Sequence, residues 1–469
     1  MNVDVAIVGA GVSGLTAAHR LSLRGHEVMV LERQARLGGN AISERADGFL
    51  MEHGPSAINA TLPHAAELSA ALGIEDEVVD LGDAVRRRYI VDGGLRGIAV
   101  HPFGILTSRL LTPLGRLRLL AEPLLPRRRD EGDETVAAFW SRRFGREFER
   151  KLVEPLAGGM FAGVGNDLSM RALFPALLQM EREDGSVTVG IIKRRMANRQ
   201  MPARRLISWR DGVAALPAAL ARSLGGAVRT GATVRTITAE AGGYRIELAR
   251  DGVVHARTVL LATQSHVAGM LLEELDGAAA EACHGIEAPP LATMFLGYRR
   301  GQVAHPLDGL GYLAVPGQGA RMLTGAQFCS TMFPGRAPKG HVALAGYVGG
   351  DRSPDLARLP ADDLIALARE EFGDLLGASG QPVVARVRQW DRGLPQFRPG
   401  HGQRTTVLGE LPNRRPGLFL TGNYLGGPSV SACLAGAYRA AKSIDAYLAG
   451  LPAEAVLETR SQREDEKGG

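Results

Sequence analysis

The sequence predicts an α/β protein built around a nucleotide-binding βαβ unit, and three observations carry that prediction. A short apolar strand runs into a glycine turn and a helix at the extreme N-terminus. Alternating apolar and polar runs with glycine turns, between 227 and 262, read as a series of short strands. Between these two regions lies a helical, proline-broken stretch over 101–205.

In the first unit, residues 3–8 form the strand, 15–23 the helix with apolar spacing, and 28–31 the second strand, with Gly25 stopping the helix. Gly9, Gly11 and Gly14 stand in GAGVSG between the first strand and the helix. The first glycine permits the tight turn, the second lets the backbone approach a pyrophosphate, and the third lets helix and strand pack closely. Val12 and Ser13 open the helix, whose free N–H groups face the phosphates. Glu32, at the end of the second strand, is the acid that accepts hydrogen bonds from a ribose diol. Strand, turn, helix and acid in register make this a Rossmann-type dinucleotide site.

Further along, residues 47–57 are loop-rich. Helical patterns follow at 134–153, 170–183 and 187–197, and 208–224 reads as a turn and helix returning to the nucleotide domain. Residues 259–262 form a buried strand, and "MFLGYRR", "GYLAVP" and "HVALAGYVGG" give further strands between 291 and 350. A helix at 360–372, a buried strand at 417–421 and a last helix at 428–448 complete the chain before a charged tail expected to be disordered. The expected domains are a discontinuous nucleotide domain (1–85, 206–285, 386–452), a substrate domain on a mixed sheet (86–100, 286–385), a helical insertion (101–205) and the tail (453–469).

Composition narrows the function classes. Lys and Arg number 55 against 50 Asp and Glu, a formal charge of +5, which does not point to nucleic acid. Attention shifts to three local clusters, Arg86–Arg87–Arg88, Arg127–Arg128–Arg129 and Lys193–Arg194–Arg195. The three cysteines, Cys283, Cys329 and Cys433, are far apart, which argues against a disulfide framework or a Cys-rich metal site and fits a reducing cytosol. No signal peptide is expected, and no apolar run reaches the ~18 residues that span a bilayer.

The residues after Glu32 choose the cofactor. "ERQARLGGN" (32–40), "MEHGPSA" (51–57) and "GLFLTGNYLGG" (417–427) resemble, in order, the extended flavin fingerprint of the flavin-containing amine oxidase superfamily. The resemblance implies FAD, held by Glu32, Arg33, Arg36, Gly38, Gly39, Asn40, Gly54, Pro55, Ser56, Val234, Trp390, Gly422, Asn423, Gly427, Ser429 and Val430 together with the first glycine turn. Within the superfamily, "RRYI" (87–90), "LVEPLAGGMFAGVGNDLSMRALFPAL" (152–177), "LTGAQFCSTMFPGRAP" (323–338) and "QW…GLPQFRPGH" (389–401) resemble the oxygen-dependent protoporphyrinogen oxidase family.

That resemblance implies hydride removal from a porphyrinogen methylene, with oxygen as final acceptor, and substrate contacts from Arg88, Ala162, Gly163, Ala314, Gln327 and Tyr347. No catalytic acid, base or metal ligand is nominated, and His53 and His401 are read as structural. Ser56, Gln327 and Tyr347 depart from the family's usual residues. Coproporphyrinogen III is the alternative substrate; an amine oxidase, a carotenoid-type desaturase or a binding-only protein are the more distant readings. The resemblance also implies a monotopic helical insertion, and "ILTSRLLTPLGRLRLL" (105–120) puts bulky apolar residues beside arginines as an interfacial helix would. The expected location is therefore cytoplasmic and peripheral on the inner face of the cell membrane, with a homodimer compatible.

Overall fold

The computed structural model describes residues 2–60, 63–99, 104–130, 132–197, 205–250, 252–317 and 322–450. The expected disordered tail and the start of the 101–130 stretch fall outside the described residues. The βαβ unit is present as Asn2–Val8, Val12–Ser22 and Val28–Leu31. Its two strands pair in parallel, Val5 opposite Val28 and Val8 opposite Leu31. Residues 253–261, expected to end in a short buried strand, form one long strand parallel to Asn2–Val8 along its whole length. The N-terminal half of that strand also pairs with the antiparallel Gly243–Leu248, and its C-terminal half with Leu418–Leu420. A chain segment from residue 418 is thereby brought beside the first strand's neighbour, at the end where the glycine turn emerges.

A second mixed sheet holds, in spatial order, Val384–Trp390, Leu291–Arg299, His341–Gly349, Gly325–Gln327, Gly309–Ala314, Arg87–Val91 and Leu95–Ala99. The expected boundary at 386 cuts the first of these strands. Its residues 384–390 pair with Leu291–Gly297, so the strand belongs to this sheet and the nucleotide-side chain resumes after Trp390. One face packs on the helix Ala361–Leu376 through Met294, Leu344, Tyr312, Ala314 and Phe372. The other face carries Phe295, Ala343 and Ala345, which meet Phe49 and Met51 of the hairpin beside the glycine turns.

Residues 104–197 are helical, joined only by the isolated bridge Thr135 to Ser169 among described residues. The expected helix 134–153 is broken at Gly145, where φ is +95°, and passes through a wide turn, Glu149–Val153, before Glu154–Phe161. The expected helix 170–183 is broken ahead of Pro175, as the restriction on the pre-proline residue demands. The strand Leu206–Trp209, whose last two residues were expected to begin a turn over 208–224, is central to a small sheet with Ile58–Asn59 and Val78–Asp80. Inside the helical part, Glu122 and Arg143, both 0% exposed, pair with one another. Glu122 also accepts from Ser186 Oγ and from the N–H groups of Val187 and Thr188, capping the helix Val187–Ala197.

Candidate functional site

The glycine turns explain themselves geometrically. A methyl carbon on Gly14 would stand 2.0 Å from the Gly9 carbonyl oxygen, so helix and turn are in contact there. On Gly11 it would meet nothing nearer than the Gly39 Cα, at 3.9 Å, which leaves open space at the helix N-terminus. The second turn closes over the first: the Gly38 N–H donates to the Ala10 carbonyl at 2.9 Å, and Gly11 and Gly38 form an isolated parallel bridge. Arg36 donates to the Gly39 carbonyl at 2.6 Å. Burial and then the neighbouring Arg388 hold its guanidinium below the usual arginine range.

Glu32 stands between the turns, accepting from the Ala10 N–H and the Gln34 N–H, both at 2.9 Å. Arg33 is exposed, near His266 and Arg392. Val234 begins a strand and pairs with Leu248. The third loop is locked on the second: a methyl carbon on Gly54 would stand 2.0 Å from the Asn40 carbonyl, and Pro55 and Ser56 follow half-buried. Trp390 closes this side by donating from Nε1 to the His53 carbonyl at 3.1 Å. The C-terminal loop Gly422, Asn423, Gly427 leads to Ser429, which caps the helix Val430–Leu448 by accepting from the Ala432 N–H. Ser13 and Cys433 are neighbours, so the first turns of the two long helices meet. A cradle a side chain would fill, one half-buried arginine beside it, an acid at the ribose position and two helix N-termini fit a flavin dinucleotide.

Both histidines read from the sequence as structural are buried. His53 is 6% exposed and bonds Glu44 Oε2 at 2.7 Å. His401 is buried against Phe397, and burial pushes its imidazole down to about 4, leaving it neutral.

On the substrate sheet, alternation and register decide which residues look toward the flavin loops. Tyr347, opposite Gly325 and Thr293, shares a face with Phe295 and Ala345. Gln327 lies on that face too, since Tyr347 donates to its Oε1 at 3.0 Å. Ile90 and Leu313 continue the row on the helical-insertion side. Arg88 shares the side of its strand with Ile90 and is exposed. Ala314 does not join them. It is 4% exposed and packs with Tyr89, Val91 and Phe372 on the reverse face, because a one-residue step along a strand reverses its side chain. Leu313 takes the position expected for Ala314 and contacts the helix Glu154–Phe161 near Gly159.

Ala162 caps that helix in the left-handed region, φ +53°. Its carbonyl accepts from the Asp351 N–H at 2.8 Å, and Gly350 is pressed so close that a methyl carbon there would stand 2.2 Å away. The Ala162–Gly163 turn is thus fastened to the end of the Tyr347 strand. Gln396, not singled out from the sequence, closes the turn from behind by donating to the Phe161 carbonyl at 3.0 Å. Arg336 and Glu52 were likewise missed. Arg336, 2% exposed, donates to Ser208 Oγ at 2.6 Å and lies 3.5 Å from Glu52 Oε1. Nothing in "FPGRAP" marks that arginine as buried.

The described residues contain no cluster of three or more His, Cys, Asp or Glu side chains able to hold a metal. A profile of the family described as flavin containing amine oxidoreductase matches residues 12–444. The chain is 31% identical to the chloroplastic protoporphyrinogen oxidase of Nicotiana tabacum over 95% of its own length and 86% of that protein. It is 25% identical to the coproporphyrinogen III oxidase of Bacillus subtilis (strain 168), over 92% and 95%. In fold it is similar to the crystal structure of a provisionally named protoporphyrinogen oxidase from Exiguobacterium sp. 255-15, with TM-score 0.81 and 24% identity over 94% and 98% of the two chains.

Proposed function

The chain belongs to the flavin containing amine oxidoreductase family, and from that premise we propose that it oxidises protoporphyrinogen IX to protoporphyrin IX, with FAD as cofactor and oxygen reduced to hydrogen peroxide. The observation that carries this reading is the Ala162–Gly163 turn fastened to the end of the Tyr347 strand by the Asp351-to-Ala162 hydrogen bond, beside the face that carries Tyr347 and Gln327. The apolar row of Leu313 and Ile90 beside Tyr347 suits a large apolar ring, and Arg88 on the same side of its strand as Ile90 suits a propionate.

When bound, FAD supplies the two-electron acceptor for a hydride leaving a methylene carbon. The chain's own task is placement and exclusion of water. Arg88 orients the ring through a carboxylate, the sheet face and the turn confine it, and Tyr347 stays protonated because burial raises its hydroxyl well above the usual range. Removal of the pyrrole proton needs no strong base. Tyr424, the aromatic an amine oxidase would present to its substrate, is fully buried among Leu411, Leu418 and Ile286.

A second reading, coproporphyrinogen III to coproporphyrin III, is favoured by one observation. Gln327 and Tyr347 form a polar pair on the substrate-facing side, where the resemblance expects apolar packing. Mixing the oxidised protein anaerobically with each porphyrinogen in turn, and following loss of flavin absorbance, decides between them. Reduction by neither would overturn both.

The proposal extends to location: the protein works peripherally, against the inner face of the cell membrane. Among the described residues no helix is long and apolar enough to cross a bilayer. Support for surface binding comes from Leu114, Leu117, Leu120 and Leu124, spaced three or four apart and between 61% and 86% exposed. The flanking basic clusters serve less than their number suggests. Arg128 pairs with Glu134, and Lys193 and Arg194 with Asp184.

A further inference from the structure

Along the edge strand Val384–Trp390, the alternate residues Arg386, Arg388 and Trp390 point to one face. The outer two are docked on the nucleotide side of the molecule. Arg386 donates to Glu44 Oε1 at 3.3 Å, and Trp390 donates to the His53 carbonyl at 3.1 Å. Arg388 is therefore suspended between two anchors, above the loop that carries Arg36 and the paired glycines.

Its guanidinium lies over the Trp390 ring, 4.7 Å from the centroid, which fixes its direction. Its Nε is shut off from solvent and makes no hydrogen bond within the protein. Across from it stands Arg36, itself half-buried and repelled by Arg388. The acid that acts on Arg36 is Glu32, whose two carboxylate oxygens are taken by the Ala10 and Gln34 N–H groups. Two guanidiniums that converge, one from the loop itself and one from the edge strand, without a carboxylate committed between them, are costly alone and fit an anion well.

We propose that Arg388 is a cofactor-clasping residue: reaching from the substrate sheet, it joins Arg36 on the diphosphate of FAD. This rests on the FAD assignment and adds a residue from outside the dinucleotide fingerprint. It follows that docking of the substrate sheet on the 43–53 segment and retention of FAD are coupled. A flavin lacking the diphosphate gains nothing from Arg388.

The test uses the full chain, stripped of flavin and titrated with FAD or riboflavin while flavin fluorescence is followed. Arg388→Gln is expected to weaken FAD binding by about ten- to a hundredfold, the loss of one charged hydrogen-bonding partner, and to leave riboflavin binding unchanged. Arg388→Lys, which keeps the charge without the fork, is expected to fall between. Equal losses for FAD and riboflavin would mean that the edge strand had merely come loose, and would overturn the proposal. FAD affinity within twofold of the parent, with a raised KM for a porphyrinogen, would overturn it and assign Arg388 to a substrate carboxylate. A parent protein that binds no FAD would sink the cofactor assignment and this inference together, whereas normal parent binding isolates the result to Arg388.

Discussion

Tyr347 donates its hydroxyl hydrogen to Gln327 Oε1 at 3.0 Å, across neighbouring strands of the substrate sheet. Both residues depart from what the family resemblance leads one to expect, an aromatic without a hydroxyl and an apolar side chain. Each departure supplies the other's partner. Tyr347→Phe alone leaves the Gln327 carbonyl unpaired in a half-buried place and should cost about 1–3 kcal/mol in stability. Tyr347→Phe with Gln327→Leu should recover most of that loss. A double-mutant cycle by chemical denaturation reads the coupling, and additive losses would show the hydrogen bond to be worth nothing. The double variant should also favour protoporphyrinogen over coproporphyrinogen relative to the parent, checked by porphyrin fluorescence on each substrate.

The glycines at 11 and 14 should fail differently. A side chain on Gly11 meets only the Gly39 Cα at 3.9 Å, so Gly11→Val blocks the dinucleotide rather than the fold. The variant should be folded and colourless. Gly14→Ala drives a methyl into the Gly9 carbonyl, 2.0 Å away, and should lower Tm before cofactor binding is even tested. A yellow, 450 nm-absorbing Gly11→Val protein would refute the assignment of this turn.

Arg88→Ala should raise KM more than it lowers kcat, with a loss of about 1.5–3 kcal/mol in kcat/KM for one charged hydrogen bond. Steady-state kinetics on a porphyrinogen measures it. Unchanged constants would remove Arg88 from the site.

Glu52 gives a pH signature. Burial raises its carboxyl to about 7, against the opposing effects of Ser43, Arg336 and the Val213 N–H. Between an unfolded value near 4.5 and a folded value near 7, the native state holds a proton that the unfolded chain has released. Stability from this group is therefore greatest below about 4.5 and declines as pH rises toward 7, by on the order of 2–3 kcal/mol. Glu52→Gln should flatten that slope in denaturant titrations at pH 5 and 7.5. An identical slope in parent and variant would count against a buried, protonatable Glu52.

Replacing Leu114, Leu117, Leu120 and Leu124 with serine should abolish co-sedimentation with vesicles of anionic lipid and leave Tm nearly unchanged, since all four are exposed. The buried Glu122 and Arg143 beneath them stay in place. Parent protein that remains in the supernatant would end the membrane proposal.

Local chemistry was enough to determine the nucleotide end of this protein. Turn, helix and acid lie within one βαβ unit, and the two N–H groups that hold the Glu32 carboxylate, those of Ala10 and Gln34, belong to that same unit. The strand Val28–Leu31 and the helix Val187–Ala197 were legible for the same reason, as periodicity is a local property. The substrate side was not. Whether residue 313 or 314 faces the flavin depends on register across strands far apart in sequence, and a step of one residue exchanges the faces. Leu313, not Ala314, lies in the row of Ile90 and Tyr347 for that reason. Arg336 and Arg388 look like any other arginines in a chain carrying many. Only the docking of two sheets buries the first on Glu52 and aims the second at the dinucleotide loop. Burial and long-range pairing are set by tertiary packing, and no spacing in the sequence encodes them on its own.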